Sequence, residues 1–225
     1  MYKRQIASGA DALLFIPFDK DGAAPIIDNC NEAGIPVICC NNITTNVDQA
    51  TAYVGANDVE AGIMETEYIV DLIGGKGNIA VVEGPFGHSA QVARQEGLEQ
   101  VLAGYPDCKI VLDDTANWNR DEAMELVENW IAGGTQIDAI ICHNDIMAMG
   151  ALQACQDAGL EIPIIGIDAT YDALCAVKDG TLAADVYQDV YGQAEEAFNV
   201  CMRILNGETF EQTTYVPFKL SLIHI

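Results

Sequence analysis

Short apolar runs and amphipathic stretches alternate along almost the whole chain. Residues 11–17 (DALLFIP), 35–40 (IPVICC), 78–83 (NIAVVE), 109–112 (KIVL), 138–142 (DAIIC), 163–167 (PIIGI) and 182–187 (LAADVY) are runs of strand length, with 53–55 (YVG) a shorter one and 215–219 (YVPFK) the last. Near-continuous apolar strands of this kind suit a parallel sheet covered on both faces. Between them apolar residues recur at helical spacing, which predicts helices over 22–33 with Gly34 as stop, from Asn57-Asp58 to about residue 73, over 89–103, over 121–131, from Ile146 through Cys155, over 171–178, and over 191–205 with Gly207 as stop. Strands separated by helices of this length imply right-handed crossovers and mostly parallel sheets. Their number suggests two sheets.

The stretch 138–150 (DAIICHNDIMAMG) shows the unit most clearly: a buried strand, a polar corner and a helix. Ligands bind at the carboxyl ends of strands in open α/β sheets, so His143, Asn144 and Asp145 are placed to meet one. Asp145 reads as either an N-cap or a ligand carboxylate. Asn144 precedes that cap, has no capping duty, and reads as a ligand amide. The run Gly74-Gly75-Lys76-Gly77 precedes a strand and lacks a Ser or Thr after the lysine, so it reads as a helix-to-strand turn and not a phosphate loop.

The two ends change what is counted. Residues 1–5 and 220–225 back-translate into DNA strings that are reverse complements over their shared length, and they resemble the mosaic end of a sequencing-library transposase. Residues 6–219 are accordingly read as an internal piece of a longer protein, with its signal segment missing. The formal charge of −24 becomes −26 without Lys3 and Arg4, from 8 basic against 34 acidic residues. A surface this acidic repels phosphate backbones and anionic lipid, so nucleic acid is not an expected partner. No apolar run approaches the length of about eighteen residues that a membrane helix needs. The eight cysteines lie mostly inside apolar runs without a CxxC pair and read as buried thiols.

Enzymatic signatures are absent. Outside the end segments the only histidines are His88 and His143, and no GxSxG, HExxH or GxGxxG occurs. Asp113-Asp114 and Glu83 could be imagined as an acid pair, but a strand end is an ordinary place for solvated carboxylates. No His, Cys or carboxylate cluster has metal-ligand spacing. The reading is a non-enzyme with no cofactor and no metal.

In order, GADALLFIPFD, AGIPVICCNN, GKGNIAVVEGPFGHSAQVARQEG, ANWNRDEAMELVENW, IDAIICHNDIMAMGA, IPIIGIDAT and GTLAADVYQDV resemble the periplasmic sugar-binding proteins of bacterial ABC importers, in particular the ribose-binding-like branch. The resemblance covers nearly all of 6–219. It implies an α/β fold of two doubly wound, Rossmann-like parallel-sheet lobes joined by a hinge, the type I periplasmic binding protein fold. Carried over, the crossings fall near Ala56-Asn57, Gln188-Asp189 and Tyr215–Pro217. The N-terminal lobe is then 6–56 plus 189–215 and the C-terminal lobe 57–188 plus 216–219. The family's first strand, helix and second strand have no counterpart, so the first lobe is expected to be incomplete, with an uncovered apolar edge and poor solubility.

The same resemblance implies a monosaccharide or polyol held in the cleft as the lobes close, ABC permease subunits in the membrane as partners, and a periplasmic or extracellular location, anchored as a lipoprotein. Sugars offer hydroxyls that donate and accept and apolar C–H faces, so their site needs carboxylates, amides, a guanidinium and an aromatic wall. Asp168, Asn144, Arg94, Trp118 and Gln188 match family ligand positions, Gln188 equally as a hinge residue. Asn41 and Asn42 depart from the Asp-Arg pair of ribose-type relatives. Two neutral amides lose the charged clamp, which puts ribose in doubt and leaves another pentose, a hexose or an inositol-like polyol open. The same fold also serves as the effector domain of LacI-type regulators and as receptors of autoinducer-2-like signals, and both remain open alternatives.

Overall fold

The structure, a computed structural model, describes residues 2–221. Within them the chain divides into two compact units, one made of the residues up to Asn57 with Asp189–Pro217, the other of Asp58–Gln188 with the residues from Phe218. Met1 and residues 222–225, parts of the end segments read as scars, lie outside the described residues. Tyr2 to Gln5 open the first helix, and Leu220 and Ser221 fall in the last strand.

The first unit contains α1 (Tyr2–Ala7), β1 (Leu13–Phe15), α2 (Ala24–Ala33), β2 (Val37–Cys40), β3 (Ala52–Gly55), α8 (Val190–Asn206) and β9 (Thr213–Tyr215). Its sheet runs β1-β2-β3-β9, all parallel. Both helix stops read from the sequence are left-handed glycines, Gly34 at φ 68° and Gly207 at φ 71°, a conformation that costs a residue with a Cβ. Ile27, Val37 and Cys39 bury one face of the sheet and Ile38, Val54 and Val200 the other. Strand β1 is an edge, and Leu14 in it and Ile16 just after it are 40% and 66% exposed.

The second unit contains α3 (Asp58–Leu72), β4 (Gly77–Glu83), α4 (Ser89–Leu102), β5 (Cys108–Thr115), α5 (Arg120–Ala132), β6 (Ala139–Cys142), α6 (Asp145–Asp157), β7 (Ile164–Asp168), α7 (Tyr171–Lys178), β8 (Ala184–Tyr187) and β10 (Lys219–Ser221). The sheet order is β10-β8-β7-β6-β4-β5, parallel except for β10, which pairs antiparallel with β8. Strands β4, β6 and β7 are buried almost throughout, as their apolar runs require. Strand β5 extends three residues beyond the expected Leu112, because an edge strand can carry Asp113 and Asp114 on exposed positions.

The last expected strand, 215–219, is corrected to two. Thr213–Tyr215 pairs with β3 in the first unit and Lys219–Ser221 with β8 in the second. Pro217 stands between them. Without an amide hydrogen it cannot continue a ladder, and the chain passes from one unit to the other there.

Helices α3 and α4 cross in the second unit with their backbones in contact. A Cβ on Gly62 of α3 would run into the Arg94 carbonyl of α4, and one on Gly97 would run into the Val59 carbonyl. Only residues without side chains let the two backbones approach this closely. The crossing brings Arg94 against the first turn of α3.

Candidate functional site

At the carboxyl ends of the second unit's parallel strands stand four of the seven expected ligand residues. Arg94 projects from α4, Trp118 from the loop after β5, Asn144 from the corner after β6, and Asp168 ends β7. Arg94 is only 4% exposed. Its Nε and Nη2 both donate to Asp58 Oδ1, each at 2.9 Å, and its Nη1 donates to the His143 carbonyl oxygen. A guanidinium carries five N–H groups, so this anchoring holds the fork in place and leaves donors over. Burial lowers its affinity for the proton, and Asp58, Asp168 and Glu65 more than reverse that.

The Arg94 Cζ lies 5.8 Å from the centroid of the Trp118 ring, within cation–π range. His88 meets the same ring edge-on at 5.4 Å. The indole also presses on Gly84, where a Cβ would collide with Trp118 Cζ2. Asn117 and Trp118 hold left-handed backbone conformations at φ 53° and 58°. For non-glycine residues such conformations persist only where the surroundings fix them, and they concentrate at ligand sites. His88 itself caps α4, its Nδ1 accepting from the Ala90 amide at 3.2 Å. Burial first, and Arg94 second, lower its pKa, so it stays neutral and able to accept.

At the central corner one expectation is corrected. Asn144, not Asp145, caps α6, its Oδ1 accepting from the Met147 amide at 3.0 Å. The helix begins at Asp145, so the residue before it holds the cap position. The Asn144 Nδ2 is not used by that cap. Asp145 is fully buried and turns to the Thr170 amide at 2.6 Å. His143 is also fully buried, both ring nitrogens without a partner. Burial and then Arg94 push its pKa down to about 3, so the imidazole is neutral.

Asp168 is half-buried. Burial pushes its pKa up to about 7 against the pull of Arg94, with Asp145 and Asp58 reinforcing the rise. It therefore stands near the boundary between acceptor and acid in neutral solution. Glu83, at the end of β4, is pushed up to about 8 by burial and then by Asp113, against a hydrogen bond from Gln91. Gln91 in turn accepts from the Gly87 amide at 3.0 Å and so fixes the loop before α4.

The other expected residues are Gln188, Asn41 and Asn42. Gln188 is buried just after β8, at the end of the second unit's main segment. Asn41 and Asn42 follow β2 in the first unit. Asn41 has φ 61°, and its carbonyl accepts from the Tyr53 hydroxyl at 2.6 Å. Asn42 donates its Nδ2 to the Pro17 carbonyl at 2.9 Å, which ties together the loops after β1 and β2. Sequence reasoning misses the parts played by Asp58 and Asp185. Asp58 reads there only as the start of a helix, whereas Asp185 is a charged residue inside an apolar strand, a signal in its own right. Among the described residues no group of three or more His, Cys, Asp or Glu is arranged to hold a metal ion.

Residues 1–209 match a family model described as the periplasmic binding protein domain. The chain is similar to the xylitol-binding protein of Mycolicibacterium smegmatis, 40% identical over 205 residues that make up 90% of this chain and 58% of that protein. It is similar to the putative rhizopine-binding protein of Rhizobium meliloti, 37% identical over 224 residues, 96% of this chain and 72% of that protein. A crystal structure of an ABC transporter solute binding protein from Bacillus halodurans with bound myo-inositol has a TM-score of 0.95 at 38% identity, covering 98% of this chain and 77% of that one. All three are binding proteins.

Proposed function

The chain belongs to the periplasmic binding protein family, and from that premise we propose that it is the solute-binding component of a bacterial ABC importer for a neutral polyol or monosaccharide. The observation that carries this reading is the constellation Arg94, Trp118 and Asp168 at the carboxyl ends of one parallel sheet. An aromatic face suits the C–H surface of a polyol, a half-buried carboxylate accepts from hydroxyls, and an anchored guanidinium donates to them. Asn144 adds its Nδ2, and Gln188 its amide. Asn41 and Asn42 are the first unit's contribution, and as neutral amides they favour hydroxyls over charged groups. Arg94 is already neutralised by Asp58, which disfavours a phosphate or carboxylate ligand. Xylitol and myo-inositol, named for relatives at 40% and 38% identity, are accordingly the first ligands to test. In this reading the protein works outside the cytoplasmic membrane, held there as a lipoprotein, and delivers its ligand to permease subunits.

A thermal-shift series tests it. Xylitol, myo-inositol, pentoses, hexoses and their phosphates are added over a wide concentration range. The expected outcome is a concentration-dependent rise in Tm with an unphosphorylated polyol or sugar. Asp168→Ala and Trp118→Ala should each weaken that binding by tenfold or more, on the order of 1.4 kcal/mol at least. A response confined to phosphorylated compounds, or none at all, would sink the polyol reading.

A further inference from the structure

Behind the proposed ligand carboxylate lie two more acids. Asp145, the first residue of α6, and Asp185, in the middle of β8's apolar run, are both fully buried. Each spends one oxygen on consecutive amides of a single corner: Asp185 Oδ1 accepts from Ala169 at 3.1 Å and Asp145 Oδ2 from Thr170 at 2.6 Å. The remaining oxygens, Asp145 Oδ1 and Asp185 Oδ2, are buried without any other partner. Among the described residues neither carboxyl has an ion-pair partner. Strand β7 is shaped to admit the pair, because a Cβ on Gly166 would lie 2.5 Å from Asp145 Oδ1.

The corner they hold is strained. Asp168 has φ 130° and Ala169 φ 57°, both in the region that non-glycine residues avoid. Such geometry is costly and survives only when its surroundings over-determine it. Two carboxyl oxygens on two successive amides supply that constraint.

Two adjacent buried carboxylates cannot both be ionised cheaply, and a hydrogen bond between their free oxygens needs one proton. We propose that Asp145 and Asp185 share a single proton and act as the positioning pair for the Asp168–Thr170 corner, so that the pair, without touching the ligand, sets the direction of the Asp168 carboxylate. Burial and the neighbouring acid push Asp145 up to about 8, and burial pushes Asp185 up to about 6. The titratable groups that act on the pair are Asp168 on the corner itself and Cys142 on β6, while Arg94 on α4 and Asp58 on α3 act on Asp168. Arg94 is engaged by Asp58 and the His143 carbonyl, and does not neutralise the pair. Removing the shared proton in alkaline solution leaves two repelling carboxylates, and the corner loosens.

The effect on ligand rests on the polyol reading; the proton pair does not, and the two are separated by measurement. In the ligand-free Asp168→Asn chain, the background for every resonance test because Asp168 itself titrates near pH 7 beside these amides, the 15N–1H resonances of Ala169 and Thr170 should shift together between about pH 6 and 9. In Asp185→Asn, whose amide can donate to Asp145 while still accepting from Ala169, that shift should disappear with the fold retained. Asp145→Asn is the mirror-image variant. Xylitol and myo-inositol binding is then followed by calorimetry. Wild-type affinity should fall by about tenfold between pH 7.5 and 9, one proton's linkage, and the fall should vanish in Asp185→Asn. Unmoved Ala169 and Thr170 resonances would overturn the proton pair, and an alkaline loss of affinity identical in wild type and both Asn variants would overturn its positioning role. A normal resonance titration with no polyol bound at any pH would refute the polyol reading and leave the pair standing.

Discussion

The two units share one architectural plan and differ in what they bury. In the first, the corner after β2 carries neutral amides, and a cavity of about 530 Å³ is lined chiefly by Leu14, Phe15, Ile16, Val190 and Ala197. The groups whose ionisation burial moves there are thiols, with Cys39 pushed up to about 12 and Cys40 to about 11. In the second, Glu65, Glu83, Asp145 and Asp185 are buried outright and Asp168 half so, around one buried arginine. A buried carboxyl must be paired, hydrogen-bonded or protonated: half-buried Asp58 pairs, Asp145 accepts from an amide, and Glu65, with both oxygens unpartnered, is pushed far up by burial, which favours its protonated form. The lesson is that one doubly wound scaffold accommodates a unit that buries thiols and a unit that buries carboxyls, according to which side chains stand at and behind its strand ends.

The comparison breaks most sharply at Arg94. Arg94→Met keeps much of the side-chain volume but leaves Asp58 without its cation and the His143 carbonyl without its donor. Breaking a buried pair from one side costs about 3–5 kcal/mol. Both tryptophans of the chain, Trp118 and Trp130, lie in the second unit, so fluorescence reports on that unit alone. The expected result is a lower urea midpoint by tryptophan fluorescence. Amide exchange in β2 and β3 should change far less. Equal losses in both units would mean that the two unfold as one.

Next in size is the response to pH. Glu83, Asp145, Asp168 and Asp185 hold protons in the folded state that the unfolded chain releases near pH 4. Their raised folded pKa values favour folding at low pH, and that contribution is lost as pH rises through about 6 to 8. His143 opposes them below about pH 6.5, where the unfolded chain takes up a proton that the buried imidazole refuses. The carboxyls outnumber it, so fluorescence-monitored stability should fall between about pH 5 and 8, at up to about 1.4 kcal/mol per pH unit for each proton involved. Exchange protection in the first unit, corrected for intrinsic rates, should stay level. A second unit that gains stability from pH 5 to 8 would contradict this account of its buried acids.

The alternation of apolar runs and helices made the two-sheet α/β plan legible, because burial on both faces leaves an unbroken apolar signature at β4, β6 and β7. Strand ends were less legible. The edge strand β5 mixes carboxylates into its length, and Pro217 splits what looks like one strand into members of two sheets. Arg94, Trp118 and Asp168 could be nominated from residue type and position in the motifs. Their anchors could not. Asp58 and Arg94 are 36 residues apart, and Asp145 and Thr170 are 25 apart, distances at which no local periodicity connects partners. Asp185 was visible as a carboxylate in a buried strand, yet nothing local shows that its partner is another acid. The exchange of capping roles between Asn144 and Asp145 turned on one residue of helix boundary, the least legible feature of any element.

The smallest expected effect sharpens the contrast from the first unit's side. Asn42, half-buried, donates across to the carbonyl of the buried Pro17 at 2.9 Å, a neutral hydrogen bond between the loops after β1 and β2. Asn42→Ala removes it without stranding a charge, leaving one neutral carbonyl without this donor, so the cost should be about 1–2 kcal/mol. That loss should be the same at pH 5 and pH 8, since neither partner titrates, and it should appear in amide exchange of β1 and β2 and not in tryptophan fluorescence. If Asn42 also serves the ligand, xylitol or myo-inositol affinity should fall by severalfold beyond what the stability loss explains. Asn42→Asp separates the two roles: it keeps the shape, replaces the donor with an acceptor facing another acceptor, and brings a charge into the unit that otherwise has none at this corner. A variant that binds polyol as wild type does in both forms would assign Asn42 to loop architecture alone and leave ligand recognition to the ionisable unit.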